Sequence, residues 1–248
     1  MLDKSKEKKL LESYVPKYIT SNDSSQQRLM RELAIRTFKP YLHGGRSMEL
    51  GCEIGYMSEL IARIVDHLDI VEGSEEFIER AKKRAIPNAS YYYSLFEDFQ
   101  PEPAYDSVFA SHVLEHLYNV PLVLEMVKKA LKPQGVFLVT VPNARALSRQ
   151  LARHMGLITN LSDLTPNDLK GGHRRVYDLV SLKRELEYCG FEIITHGGIL
   201  FKYLADFQMD QLIDLGILGK EQCDGLFSLG QEYPDMCADI YAVARLKK

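Results

Sequence analysis

Apolar residues in this chain change their period near residue 46. Before it, Leu29, Leu33, Ala34 and Phe38 recur at helical spacing, so the first 45 residues predict helices and no strand, ended by Pro40 and the pair Gly44-Gly45. After it, short apolar runs alternate with amphipathic stretches. Residues 47–50 predict a first strand, and 56–66 a helix buried through Met57, Leu60, Ile61, Ile64 and Val65. Residues 68–72 predict a second strand, followed by a helix with Phe77, Ile78 and Ala81 inward. Third and fourth strands are expected at 91–93 and around 108–110, and Asn119 caps a helix running to about residue 131. Residues 135–141 are nearly all apolar, as in a strand covered on both faces. A helix over 145–154 and a polar loop to 176 come next. Asp178 then caps a helix ending at Cys189-Gly190, where glycine suits a left-handed cap. A sixth strand at 191–195, a helical insertion over 201–235 and a last strand at 240–246 complete the pattern. Alternating strands and helices predict an α/β, mostly parallel, doubly wound sheet. Such sheets bind ligands at the carboxyl ends of their strands.

Composition narrows the class. With 248 residues, 46% hydrophobic and 26% charged, the chain is globular rather than disordered or collagen-like. Lys+Arg 31 against Asp+Glu 34 leaves a net charge of -3, so no chain-wide basic footprint exists and no nucleic-acid partner is expected. Cys52, Cys189, Cys223 and Cys237 form no C-x-x-C pair, which predicts reduced thiols and a cytoplasmic setting. The charged start has no apolar signal region, and no apolar run is long enough for a transmembrane helix, so no membrane partner is expected. One domain is expected over 1–248. It comprises a helical lid (1–45), a core (46–200), the insertion (201–235) and a last strand (236–248).

The most informative segment is Glu49-Leu50-Gly51-Cys52-Glu53-Ile54-Gly55, set between a strand and a helix. Gly51 permits a tight turn and a close approach of backbone to ligand, and Gly55 permits close helix packing. Glu72 ends the second strand about 20 residues further on, where a carboxylate can take two ribose hydroxyls.

These residues resemble the E-x-G-x-G-x-G motif of class I S-adenosylmethionine-dependent methyltransferases. Val71-Glu72-Gly73-Ser74 is similar to their ribose-binding strand end, and the segment from Ser94 to Phe99 to their adenine-side loop. The segment from Tyr105 through Ser111-His112-Val113-Leu114-Glu115-His116 resembles the fourth-strand motif of the small-molecule branch, which includes quinone-biosynthesis and nodulation enzymes. Leu131-Lys132-Pro133-Gln134-Gly135-Val136 matches the usual turn into the fifth strand. The resemblance implies a Rossmann-like sheet of seven strands with the last antiparallel, and methyl transfer from S-adenosylmethionine to leave S-adenosylhomocysteine. It further implies cofactor contacts from Glu49, Gly51, Cys52, Gly55, Glu72, Gly73, Phe96, Glu97 and Ser111.

Two departures stand out. Glu53 occupies the central glycine position, and Leu95 stands where a polar residue often meets adenine. Glu53 is expected to point away from the ligand, the alternative being that it faces the sulfonium or ammonium. A small-molecule acceptor, methylated on oxygen or nitrogen, is the expected substrate. His112 and His173 are the candidate bases, against the alternative that they are walls. Glu115 and His116 are expected to brace their loop, and Arg174 and Arg175 to be solvated. Tyr14 and Tyr18 are expected to pack in the lid, the alternative being that they close over the cofactor, and Arg28 reaching the cofactor carboxylate is a lesser alternative. No metal is expected, because the fourth strand ends in Ser111-His112 rather than an aspartate and no acidic trio suits Mg²⁺. A nicotinamide-dependent oxidoreductase is the alternative enzyme, disfavoured by the turn's spacing and the lack of a Tyr-x-x-x-Lys pair. A non-catalytic S-adenosylmethionine-binding protein is the remaining alternative. The pattern carries no information on oligomeric state.

Overall fold

A computed structural model describes residues 4–21, 24–102 and 104–247. Its central feature is a seven-stranded sheet in the order β3-β2-β1-β4-β5-β7-β6. The strands are β1 (Arg46–Leu50), β2 (His67–Glu72), β3 (Ala89–Tyr93), β4 (Tyr105–Ser111), β5 (Leu131–Pro142), β6 (Phe191–Phe201) and β7 (Cys237–Leu246). The first five run parallel, and β7 is antiparallel to both β5 and β6. This is the Rossmann-like sheet with an antiparallel last strand.

Alternation along the strands divides the core in two. Met48 and Leu50 of β1, Val108 and Ala110 of β4, and Phe137, Val139 and Val141 of β5 face α5 (Val120–Ala130) and α8 (Leu179–Tyr188). Leu68 and Ile70 of β2, Phe109 and Leu138 face the other way, onto α2 (Ser25–Phe38), α3 (Tyr56–Ala62) and α4 (Glu75–Lys82). With both faces covered, the central strands are apolar throughout. Caps fall where the side chains place them. Asn119 accepts from Leu122 N, Asp178 forms a capping box with Ser181, and Gly190 takes a φ of 90° after α8.

Several boundaries differ from the sequence pattern. The helix expected over 56–66 stops at Ala62. Strand β5 starts at Leu131, where an irregular pairing with Tyr105 recruits the turn residues. Strand β6 runs on to Phe201, so the expected core boundary at residue 200 lies inside a strand. The helix expected from residue 145 is α6 (Leu147–His154), and the polar loop after it contains α7 (Pro166–Lys170), capped by Thr165. The insertion is α9 (Asp206–Asp214) and α10 (Lys220–Glu232). At the N-terminus, α1 (Lys4–Ser21) lies across the end of the sheet nearest β2 and α4. No helix among the described residues is long and apolar enough to cross a membrane.

The strand order reverses between β1 and β4. The carboxyl ends of these two strands therefore flank a crevice, as at the switch point of doubly wound sheets.

Candidate active site

The loop after β1 is built by backbone constraint. Gly51 has a φ of 74°, donates its N–H to Val71 O at 2.9 Å, and leaves room for Val113 and the Phe96 ring. Gly55, at φ 80°, starts α3, and any Cβ there would lie 2.9 Å from Ala81 of α4. It thus serves the packing of α3 on α4 and lies outside the cavity lining. Glu53 holds a φ of 47°, a left-handed conformation that costs a non-glycine residue about 1–2 kcal/mol.

A cavity of about 860 Å³ opens in front of this loop. That is towards the upper end of the range for small-molecule sites. Glu49, Gly51, Cys52 and Glu53 line one end, Ser111, His112, His116 and His173 the middle, and Lys202 and Asp206 the far side. Gly73, Glu72, Phe96 and Glu97 lie outside the lining. They sit beneath α1, whose Leu11 covers Gly73 together with Leu95. The Glu72 carboxylate is buried and accepts from Cys52 N at 3.0 Å and Ser74 N at 2.8 Å. Burial pushes it up to about 6, opposed by these backbone donors.

Three placements correct the sequence-based expectations. Glu53 does not point away. It lines the cavity and pairs with Arg31 of α2 at 2.6 Å, an arginine the sequence pattern did not single out. Arg28, one turn earlier, stacks instead over the Tyr56 ring. Arg174 and Arg175 are not solvated. Arg174 donates to His116 O and pairs with Glu7 of α1, while Arg175 donates to Leu114 O. They pin the loop after β4 to the lid.

His112 also departs from its expected role. Its backbone adopts φ 55°, and Nε2 lies 2.6 Å from Asp239 Oδ2 of β7. Burial alone would lower its pKa, but the Asp239 carboxylate, with Glu115 beyond, holds it up at about 9. This pairing favours the imidazolium at neutral pH, which weighs against a role as base. Asp239 was legible only as the lone carboxylate of the last strand.

His173 lies across from His116, the rings meeting edge to face at 4.7 Å, with Nδ1 3.3 Å from Asp168 Oδ1. Partial burial alone would raise the pKa of Asp168, yet His173, Thr165 and Arg149 hold its carboxyl below the usual range. Tyr18 of α1 completes the roof, donating to Gly171 O at 2.8 Å and packing edge-on against Phe77 and His116. Tyr14 lies flat on Gly172. Glu49 is buried at the opposite end, and burial pushes its carboxyl up to about 8, with Ser58 opposing.

Residues 23–196 match the family of methyltransferase domains. A ubiquinone biosynthesis O-methyltransferase of Rhodopseudomonas palustris (strain BisB5) is 26% identical over 188 residues, 71% of this chain and 72% of that protein. Among solved structures, a possible histamine N-methyltransferase from Thermotoga maritima superposes with a TM-score of 0.65 at 16% identity, covering 96% of this chain and 98% of that one. The N-methyltransferase NodS from Bradyrhizobium japonicum WM9, bound to S-adenosyl-L-homocysteine, superposes with a TM-score of 0.60 at 13% identity, covering 92% and 90%. Family match, sheet order and glycine loop lead to one conclusion: the chain belongs to the methyltransferase-domain family and is a class I S-adenosylmethionine-dependent methyltransferase.

Proposed function

We propose that this methyltransferase acts on an oxygen or nitrogen of a small-molecule acceptor. The observation that carries this reading is the cavity itself. It runs from the glycine loop to the histidine face and is roofed by the chain's own helices. A partly roofed cleft of this size suits a small acceptor better than a protein side chain or a polynucleotide. Similarity to the ubiquinone biosynthesis O-methyltransferases supports an oxygen acceptor, and similarity in fold to N-methyltransferases keeps nitrogen within the same class. The dehydrogenase alternative is not favoured.

The resemblance to the family supports the following cofactor roles. Glu49 and the backbone of Gly51 and Cys52 hold the aminoacid end of S-adenosylmethionine, with Ser111 opposite. Glu72 and Gly73 take the ribose, and Phe96 and Glu97 lie on the adenine side. Methyl transfer to an aligned nucleophile needs little beyond geometry, since the sulfonium is already a good leaving group. If the nucleophile is a hydroxyl, its proton must also leave. His112, held as an imidazolium by Asp239, shapes and charges the wall. His173, set by Asp168, is the face presented to the acceptor.

The test is turnover of methyl-labelled S-adenosylmethionine against small phenols, aliphatic alcohols and amines, with a total protein extract and RNA alongside. Label in at least one small acceptor is expected. Label in protein or RNA and in none of the small acceptors would overturn the proposal.

A further inference from the structure

Strand β6 nears its end on a strained backbone. Leu200 is fully buried yet holds a φ of 61°, a left-handed conformation that is costly for leucine and persists only where the surroundings impose it. Two residues on, Lys202 lines the cavity with a side chain only 7% exposed. A buried ammonium needs an anion beside it. Its partner is Asp206 of α9, whose own side chain is 54% exposed. The cation is therefore fixed inside while its counter-ion stands at the surface.

Gln26, in the first turn of α2, lines the same cavity. It is 3% exposed, and its Oε1 has no hydrogen-bond partner. Helix α9 ties the two residues together. Asp206 pairs with Lys202 Nζ, and Asp210, one turn on, accepts from Gln26 N at 2.8 Å. Positions four apart share a helix face, so Lys202 and Gln26 are docked on successive turns of α9, on the side of the cavity that α9 closes. Asp210 is already satisfied there, since the start of α2 favours an anion.

We infer that Lys202 and Gln26 recognise an oxyanion of the acceptor, a carboxylate or a phosphate, held at the α9 side of the cavity while another atom meets the methyl group. This assignment rests on the small-molecule reading of the site and narrows it. An acceptor that fills the cavity excludes water, and a charge-assisted hydrogen bond there is stronger than one at the surface. The oxyanion takes the place of Asp206 at the ammonium, and Asp206 turns out to water, as its exposure allows. Gln26 brings an amide whose oxygen the fold leaves unpaired, with Nε2 to donate to the oxyanion and Oε1 to accept from a hydroxyl beside it. A neutral acceptor leaves Lys202 with Asp206 and gains no such bond.

The experiment is a calorimetric titration of the full chain, saturated with S-adenosylhomocysteine, with hydroxybenzoates, short hydroxy acids and phenyl phosphate. Each is run beside its neutral counterpart, the amide for a carboxylate and phenol for the phosphate. At least one acid should bind about tenfold or more tighter than its counterpart, and the two arms tell carboxylate from phosphate. Lys202→Met should weaken that acid by about 10- to 100-fold and Gln26→Leu by about tenfold, with the neutral counterpart little changed. Asp206→Asn separates recognition from a mere tether for α9. It breaks the same ion pair but leaves the ammonium free, so the acid should bind at least as tightly. Circular dichroism checks that each variant is folded, and should Gln26→Leu fail to fold, the lysine and aspartate variants carry the comparison. The inference falls if no acid binds better than its counterpart, if the preference survives in Lys202→Met, or if Asp206→Asn loses it too. Methylation of neutral small acceptors with no preference for acids would overturn this inference and leave the proposed function standing.

Discussion

Glu49 sits at the carboxyl end of β1 with its pKa pushed up to about 8 by burial, so it is largely protonated at neutral pH. The ammonium of S-adenosylhomocysteine, placed beside it, favours the ionised form. Binding then expels a proton, and affinity should rise by up to about tenfold per pH unit between pH 6 and 8. Isothermal titration across that range checks this, and Glu49→Gln should flatten the slope. A wild-type affinity independent of pH would remove Glu49 from the cofactor site. His112 carries the opposite sign. Its folded pKa of about 9 lies above the ordinary value, so the Asp239 pair stabilises the fold fully below about pH 6.5. That contribution is lost as pH rises through 9. Titration of the His112 ring by NMR should give a value near 9 that falls in Asp239→Asn, and a wild-type value near 6.5 would refute the pairing. For Glu53, the Arg31 pair predicts a further change. Glu53→Gly removes a carboxylate from the cavity wall and leaves Arg31 facing it, so binding of the cationic methyl donor should weaken several-fold more than that of its neutral-sulfur product. Equal losses for the two ligands would mean that Glu53 lies out of reach of the sulfonium.

Elements set which parts of the site are open. Helix α1 lies over the end of β2 around Gly73 and is tied there by Glu12, which accepts from Ser74 Oγ and Glu75 N at 2.9 Å each. Arg174 pairs with Glu7 from below, and Leu11 occupies the space above Gly73. If the ribose needs that space, Leu11 competes with it. Leu11→Ala should therefore tighten S-adenosylhomocysteine binding several-fold, and weaker binding would instead make Leu11 part of the cofactor's own contact surface. Helix α3 depends on a different constraint. Gly55 combines a left-handed backbone with close contact to Ala81, so Gly55→Ala should cost roughly 1–2 kcal/mol for the conformation and 1–3 kcal/mol for the clash. Urea unfolding measures that loss, and a cost below about 0.5 kcal/mol would mean that α3 and α4 shift apart freely.

Over the whole molecule, the site is assembled from distant parts of the chain. The glycine loop follows β1, the histidine loop follows β4, Asp239 comes from β7, His173 from the segment after α7, and the roof from α1 and α2. Antiparallel pairing of β7 with β5 places Asp239 opposite Pro142, close to where His112 N bonds to Thr140 O at 2.9 Å. A parallel last strand would have sent Asp239 to the other end of the sheet. The charge of the site is likewise collective. Acidic and basic groups are paired across elements, Glu53 with Arg31 and Asp239 with His112, while Lys202 and Asp206 pair locally, four residues apart.

Local pattern determined what local physics controls. Apolar periodicity marked the alternating elements, because burial on one face or two is written directly into neighbouring residues. Asn119, Asp178 and Gly190 marked helix ends, because a cap acts within a few residues of itself. The turn at Gly51 and Gly55 was legible for the same reason, since left-handed backbone favours glycine, although Glu53 and His112 adopt it as well. Tertiary structure decided the rest. No spacing could show that Glu53 meets Arg31, that the Asp239 carboxylate favours a protonated His112, or that Glu115 lies buried beside two histidines. Those outcomes depend on strand order, on the direction of β7 and on which loops the sheet brings together. Charge states in particular follow from burial and from partners far away in sequence, so His112, base or wall in the chain, is pushed towards the imidazolium in the fold by Asp239.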